Sequence, residues 1–99
     1  MPEHRSAEVG YGLNPAFRGQ GIAGEALSAV LDFAFRKMAL NRVEAKCVAE
    51  NASSERVMQK VGMTFEGVAR SALLVKGEFR NIKIYSMLRS EYVRFKQKS

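Results

Sequence analysis

The stretch RGQGIAGEAL, Arg18 to Leu27, decides how this chain is read. Gly19, Gly21 and Gly24 spell G-x-G-x-x-G, a spacing found in loops that hold phosphate groups. A triphosphate loop needs Gly, four residues, then Gly-Lys-Ser/Thr. Glu25 stands where that lysine belongs, and its carboxylate would repel the anion. A dinucleotide loop needs its first glycine directly after a buried strand, with an acid about 20 residues beyond the loop. Glu44 and Glu50 are in range, but five residues including Pro15 separate the preceding strand from Gly19. The chain also ends in a hairpin where a third crossover strand is required. A loop that opens a helix and turns its backbone N–H groups toward an anion needs neither motif.

Working outward, Ala7 to Leu13 reads as a short strand whose Gly10 and Gly12 mark a bulge or a close backbone approach. Asn14-Pro15 breaks it. From Ile22 the apolar residues Ile22, Ala26, Leu27, Val30, Leu31, Ala34, Phe35 and Met38 recur at helical spacing and predict one apolar stripe. Glu25 is expected in the first turn and Arg36 and Lys37 in the last, as the helix dipole favours. Arg42 to Ala49 is a second strand, so the order strand, helix, strand predicts a right-handed parallel crossover. Asn51 is placed to cap a second helix that carries Ser54, Val57, Met58 and Val61 on one face and stops at Gly62. Phe65–Val75 and Phe79–Leu88 are extended runs joined at Lys76-Gly77-Glu78, a hairpin signal. The basic tail RSEYVRFKQKS predicts a short or frayed helix.

Composition bounds the function. With 99 residues the chain makes one domain, and 46% apolar residues give it a modest core. A net charge of +6 suits an anionic ligand. The lone Cys47 excludes an internal disulfide, fits a reducing compartment, and in its apolar run reads as a buried, inert thiol. The start MPEHRSAEVG lacks the apolar core of a signal peptide, and no run approaches a membrane span. These features predict a soluble cytoplasmic protein without a membrane partner. The tail's Tyr92 and Phe95 among basic residues raise nucleic-acid binding, but no recognition motif accompanies them, so none is expected.

Three blocks together carry a family resemblance. Arg18-Gly19-Gln20-Gly21-Ile22-Ala23 fits R/Q-x-x-G-x-G/A, the acetyl-CoA loop of the Gcn5-related N-acetyltransferase superfamily. NASSERVMQKVGMTFEGVAR, Asn51 to Arg70, is similar to the N-x-x-S…K-x-G-F-x-x-E-G-x-x-R block of the branch that acetylates ribosomal-protein N-termini. GEFRNIKIYSMLRSEY resembles the final hairpin and tail of that branch. The match runs in order along nearly the whole chain.

The resemblance implies an α/β fold, the C-terminal half of an acetyl-CoA N-acyltransferase domain. Its order is β-α-β-α-β-β, a parallel crossover followed by an antiparallel hairpin. It implies one domain over residues 1–99 that lacks the superfamily's first three strands and first helices, hence most of its acceptor wall. Acetyl-CoA is the implied co-substrate, with no metal. The N–H groups of Gly19, Gln20, Gly21, Ile22 and Ala23 are the implied pyrophosphate cradle, flanked by Arg18. The Tyr11–Leu13 backbone is implied to pair with the pantetheine amides, and Asn51 to contact the same arm. Ser54 is the implied catalytic hydroxyl, set near the sulfur to donate to the leaving thiolate. Two positions depart from the pattern. Met58 stands where several members carry a tyrosine acid, and Asn81 stands where relatives often have an aspartate. The general base stays open among Glu66, Glu8 and His4.

The expected function is acetyl transfer from acetyl-CoA directly to a primary amine, either a protein N-terminus or a small molecule. The alternative is a non-catalytic module that binds CoA or only assembles. The Ala7–Leu13 edge, without proline or lysine to blunt it, predicts a homodimer.

Overall fold

Alternation is plainest in β2, Arg42–Val48. Its Val43, Ala45 and Cys47 are buried, while Arg42, Glu44, Lys46 and Val48 are half-buried on the other side of the pleat. The computed structural model describes residues 6–9 and 20–98. Around β2 stand β1 (Ser6–Val9), β3 (Thr64–Val75) and β4 (Glu78–Leu88), in the order β1-β2-β4-β3. β1 lies parallel to β2, with Val9 opposite Ala45. β4 lies antiparallel to both β2 and β3. The hairpin therefore folds back so that the last strand, rather than the third, sits against β2.

Helix α1 (Gln20–Asp32) joins β1 to β2 and continues into a π-helical turn, Phe33–Lys37. Helix α2 (Ala52–Lys60) joins β2 to β3, and α3 (Arg89–Lys98) closes the described chain. The basic tail forms a ten-residue helix held by buried Tyr92, which stacks on Phe35 and donates a hydrogen bond to Asp32. The core is one cluster. Leu27, Leu31 and Phe35 from the α1 side and Val57, Met58 and Val61 from α2 meet Val43, Ala45, Tyr85 and Met87 on the sheet.

Two expectations about the first helix are corrected. The apolar stripe is narrower than its periodicity predicts, because Val30 is 41% and Met38 52% exposed. Val30 sits at the edge of the face that Leu27 and Leu31 define, and the π turn shifts the phase before Met38. Because α1 starts at Gln20, Glu25 lies in the second turn rather than the first.

The turns follow the backbone rules. Lys76 and Gly77 both have positive φ, 50° and 81°, the signature of a two-residue type I′ hairpin loop. After α2, the N–H of Gly62 donates to the carbonyl of Gln59, and that of Met63 to Met58, a Schellman closure. Gly62 itself has φ +93°, and a Cβ there would meet the Phe95 ring at 2.6 Å. Both the left-handed backbone and the close ring require glycine. Gly62→Ala is expected to lower stability by about 1–3 kcal/mol, read from denaturant midpoints at unchanged m-value.

Candidate functional site

Parallel pairing decides where ligand groups can gather. β1 and β2 point the same way, so their carboxyl ends share one edge of the sheet. The helix that follows each strand starts at that edge. Open α/β sheets bind ligands there because helix N-termini present free N–H groups and positive dipole ends. Gln20, Gly21, Ile22 and Ala23 form the first turn of α1, and Asn51 and Ser54 open α2. The predicted loop residues Tyr11, Leu13, Arg18 and Gly19, like the candidate base His4, lie outside the described residues.

Asn51 is the N-cap of α2, with its Oδ1 accepting the Ser54 backbone N–H at 3.1 Å. Ser54 is buried on the inner side of that first turn. Met58, one turn further on, is fully buried in the core. Its position therefore serves packing. Cys47 is also buried as expected, and burial pushes its thiol up to about 11, out of nucleophilic range at neutral pH. Among the described residues no group of three or more His, Cys, Asp or Glu side chains is arranged to hold a metal ion, and no helix is long and apolar enough to cross a membrane.

Sequence reasoning missed a cluster beside this turn. Glu55, the residue after Ser54, accepts the Tyr85 hydroxyl at 2.5 Å and the Lys83 ammonium at 2.9 Å. Gln59 donates to the same Tyr85 oxygen at 3.1 Å. The phenol and then the ammonium hold the Glu55 carboxyl below the ordinary carboxylate value of 4.5, and burial followed by Glu55 pushes Tyr85 up to about 12. Periodicity supplies half of the signal. Lys83 and Tyr85 share one face of a strand, and Glu55 and Gln59 share one face of a helix. Nothing in the sequence says that the two faces meet.

The opposite face of the sheet carries a ladder of charged pairs. Arg42 pairs with Glu44 at 2.7 Å and Glu66 at 3.3 Å, Lys46 pairs with Glu8 at 2.9 Å, and Ser86 donates to Glu66. The Ser86 hydroxyl, then the Arg42 guanidinium, holds Glu66 below the usual carboxylate range, so it is poorly matched to take a proton at neutral pH. Glu8 and Lys46 border a cavity of about 220 Å3 whose apolar wall includes Leu73, Ile82 and Ile84. Asn81 also has a structural task. Its Oδ1 accepts the N–H of Ser71, a residue at φ 49° in the second bulge of β3. A carbonyl oxygen is what that N–H needs, and the side-chain amide supplies one without adding charge.

A β-α-β unit with two helix N-termini at one sheet edge, followed by an antiparallel hairpin, is the class of arrangement found in acyl-CoA-using transferases. The family profile described as an acetyltransferase (GNAT) domain matches residues 1–64. The chain belongs to this GNAT acetyltransferase family. It is similar to an uncharacterized N-acetyltransferase, YnaD, of Bacillus subtilis, 36% identical over 85 residues that make 86% of this chain and 50% of that protein. It is also similar to the putative ribosomal N-acetyltransferase YdaF of the same organism, 35% identical over 90% of this chain and 49% of that one. Among solved structures, a variant of the spermidine N-acetyltransferase of Vibrio cholerae superposes with a TM-score of 0.81 at 25% identity, covering 92% of this chain and 54% of that one. The chain thus spans about half the length of the relatives it matches.

The Glu55 cluster sets a pH signature. A carboxyl depressed in the folded state stabilises fully above its unfolded value, and that contribution is lost as pH falls through the folded value. Tyr85→Phe removes the phenol and is expected to cost about 1–2 kcal/mol at pH 7. Denaturant unfolding of both proteins between pH 7 and pH 2 should show this difference shrink below pH 4.5. A constant difference would mean that the phenol acts by packing alone.

Proposed function

We propose that residues 1–99 form one acetyltransferase-type unit that binds acetyl-CoA and moves its acetyl group directly to a primary amine. The carrying observation is that the α1 and α2 N-termini open at the shared carboxyl edge of β1 and β2. In this reading, N–H groups of Gly19 to Ala23 cradle the pyrophosphate with Arg18 beside them. The Tyr11–Leu13 backbone and Asn51 align the pantetheine arm. The family profile and the relatives' names support the cofactor and the reaction.

The chemistry is one displacement. The amine nitrogen attacks the thioester carbonyl, the carbon–sulfur bond breaks, and the amine proton passes to a base. The Ser54 hydroxyl donates a hydrogen bond to the departing thiolate, which takes its proton from water, so its help is greatest in the transition state. Glu8 borders the 220 Å3 cavity, where the Lys46 ammonium at 2.9 Å already balances its charge. The acceptor is a protein N-terminus or a polyamine-like small molecule. YdaF's name points to a ribosomal acceptor and the Vibrio enzyme's name to spermidine. Cytoplasmic residence accords with the single buried thiol, Cys47.

Thiol release with acetyl-CoA and a panel of peptide N-termini and polyamines tests this reading. Ser54→Ala is expected to lower turnover ~10- to 1,000-fold with CoA affinity nearly unchanged. Gly21→Val is expected to cost ~1–3 kcal/mol of CoA binding in calorimetry. CoA binding without turnover on any acceptor would favour a non-catalytic binding module, and full activity in Ser54→Ala would remove that serine from the mechanism.

We infer a homodimer as well, because among the described residues β1 (Ser6–Val9) is an edge strand of the sheet. Sedimentation at micromolar concentration should show twice the monomer mass, and a stable monomer would contradict the inference.

A further inference from the structure

The start of α2 holds two residues that the functional reading places at the cofactor, the N-cap Asn51 beside the arm and Ser54 beside the sulfur. Helix first turns are loosely held, because their N–H groups lack partners within the helix. Here the turn is closed by the Glu55 N–H, which donates to the Asn51 carbonyl at 3.2 Å. The side chain of the same residue reaches the sheet. One carboxylate oxygen accepts the Tyr85 hydroxyl at 2.5 Å and the other the Lys83 ammonium at 2.9 Å. Both donors stand on β4, two residues apart on one face, so the two bonds together restrain the rotation of α2 as well as its distance from the sheet. β4 lies inside the sheet, between β2 and β3, and does not yield as an edge strand can. Gln59, one turn on, donates to the Tyr85 oxygen and keeps the phenol turned toward Glu55.

The pair is also partly shielded. Glu55 and Lys83 side chains are 20% and 28% exposed, whereas the hairpin pair Glu78–Arg80 is 70% and 39% exposed. A carboxylate and an ammonium drawn out of water cost solvation that an apolar side chain of similar size would avoid.

We propose that Glu55 is a positioning residue: its carboxylate, clamped by Tyr85 and Lys83, sets Asn51 and Ser54 for the cofactor arm. The assignment rests on the acetyl-CoA reading given above. It differs from that reading in placing the control of cofactor geometry on residues that do not touch the cofactor.

The test compares Glu55→Ala, Glu55→Gln and Val57→Ala, the last removing core packing from the same helix while leaving the clamp intact. CoA affinity is measured by calorimetry well below each melting temperature, and amide exchange is followed at Ser54 and Glu55. Glu55→Ala should weaken CoA binding about tenfold and speed exchange in the first turn. Glu55→Gln keeps an acceptor for Tyr85 and should recover part of the loss. Val57→Ala should lower the melting temperature at least as far with affinity within about twofold of the parent. In an Asn51→Ala background, Glu55→Ala should add no further loss, because both act through one contact. Unchanged affinity in Glu55→Ala overturns the proposal, as does an equal loss in Val57→Ala. Unchanged exchange in Glu55→Ala overturns the clamp whatever the affinity. An unmutated protein that does not bind CoA overturns the functional reading and the cofactor role of Glu55 with it, while exchange still decides whether the clamp exists.

Discussion

The in-register pairing of β2 with β4 is the constraint on which the rest of the molecule depends. Seven residue pairs run from Arg42 opposite Leu88 to Val48 opposite Ile82. Because side chains alternate, this register puts Val43, Ala45 and Cys47 on the same face as Met87, Tyr85 and Lys83. A slip by one residue would turn the buried set of β2 toward the polar face and bring Arg42, Glu44 and Lys46 against the helices. The same register delivers Lys83 and Tyr85 to Glu55 on one side and Ser86 to Glu66 on the other. Core, clamp and polar ladder follow from one choice of pairing.

Much of the fold was legible because its signals are local. Asn51 as cap, Gly62 as stop and Lys76-Gly77 as turn are each dictated by a few backbone groups, and each stands where the sequence predicts. The parallel crossover and the hairpin follow from element order and loop length. The α1 stripe was less legible. Periodicity counts Val30 and Met38 as core, but a π-helical turn changes which face looks inward, and no residue type announces it. The tail was undervalued for a similar reason. Its composition is basic, yet Tyr92 finds Phe35 and Asp32 more than fifty residues earlier in the chain.

Local signals put Asn51 at a helix start, whereas what depends on contacts across the fold stayed obscure. Asn51 and Ser54 do meet at the start of α2, joined by the bond from the Ser54 N–H to the side chain of the N-cap Asn51. The Gln20–Ala23 turn opens α1, while Tyr11, Leu13, Arg18 and Gly19 lie outside the described residues. Glu66, read as one possible base, proves to be held by Ser86 and Arg42, partners set by strand register and a bulge. Asn81 illustrates the converse. Read as the loss of a carboxylate, it holds the bulged Ser71 N–H, which a sequence pattern cannot show.

The central claim is that CoA lies across the carboxyl edge of β1 and β2, between the starts of α1 and α2. Amide chemical-shift mapping by NMR during titration with CoA tests it most directly. The account predicts the largest shifts at residues 18–23 and at Asn51 to Ser54, with little change along α3. Shifts confined to α3 and the π-helical turn, or none at saturating CoA, would contradict it.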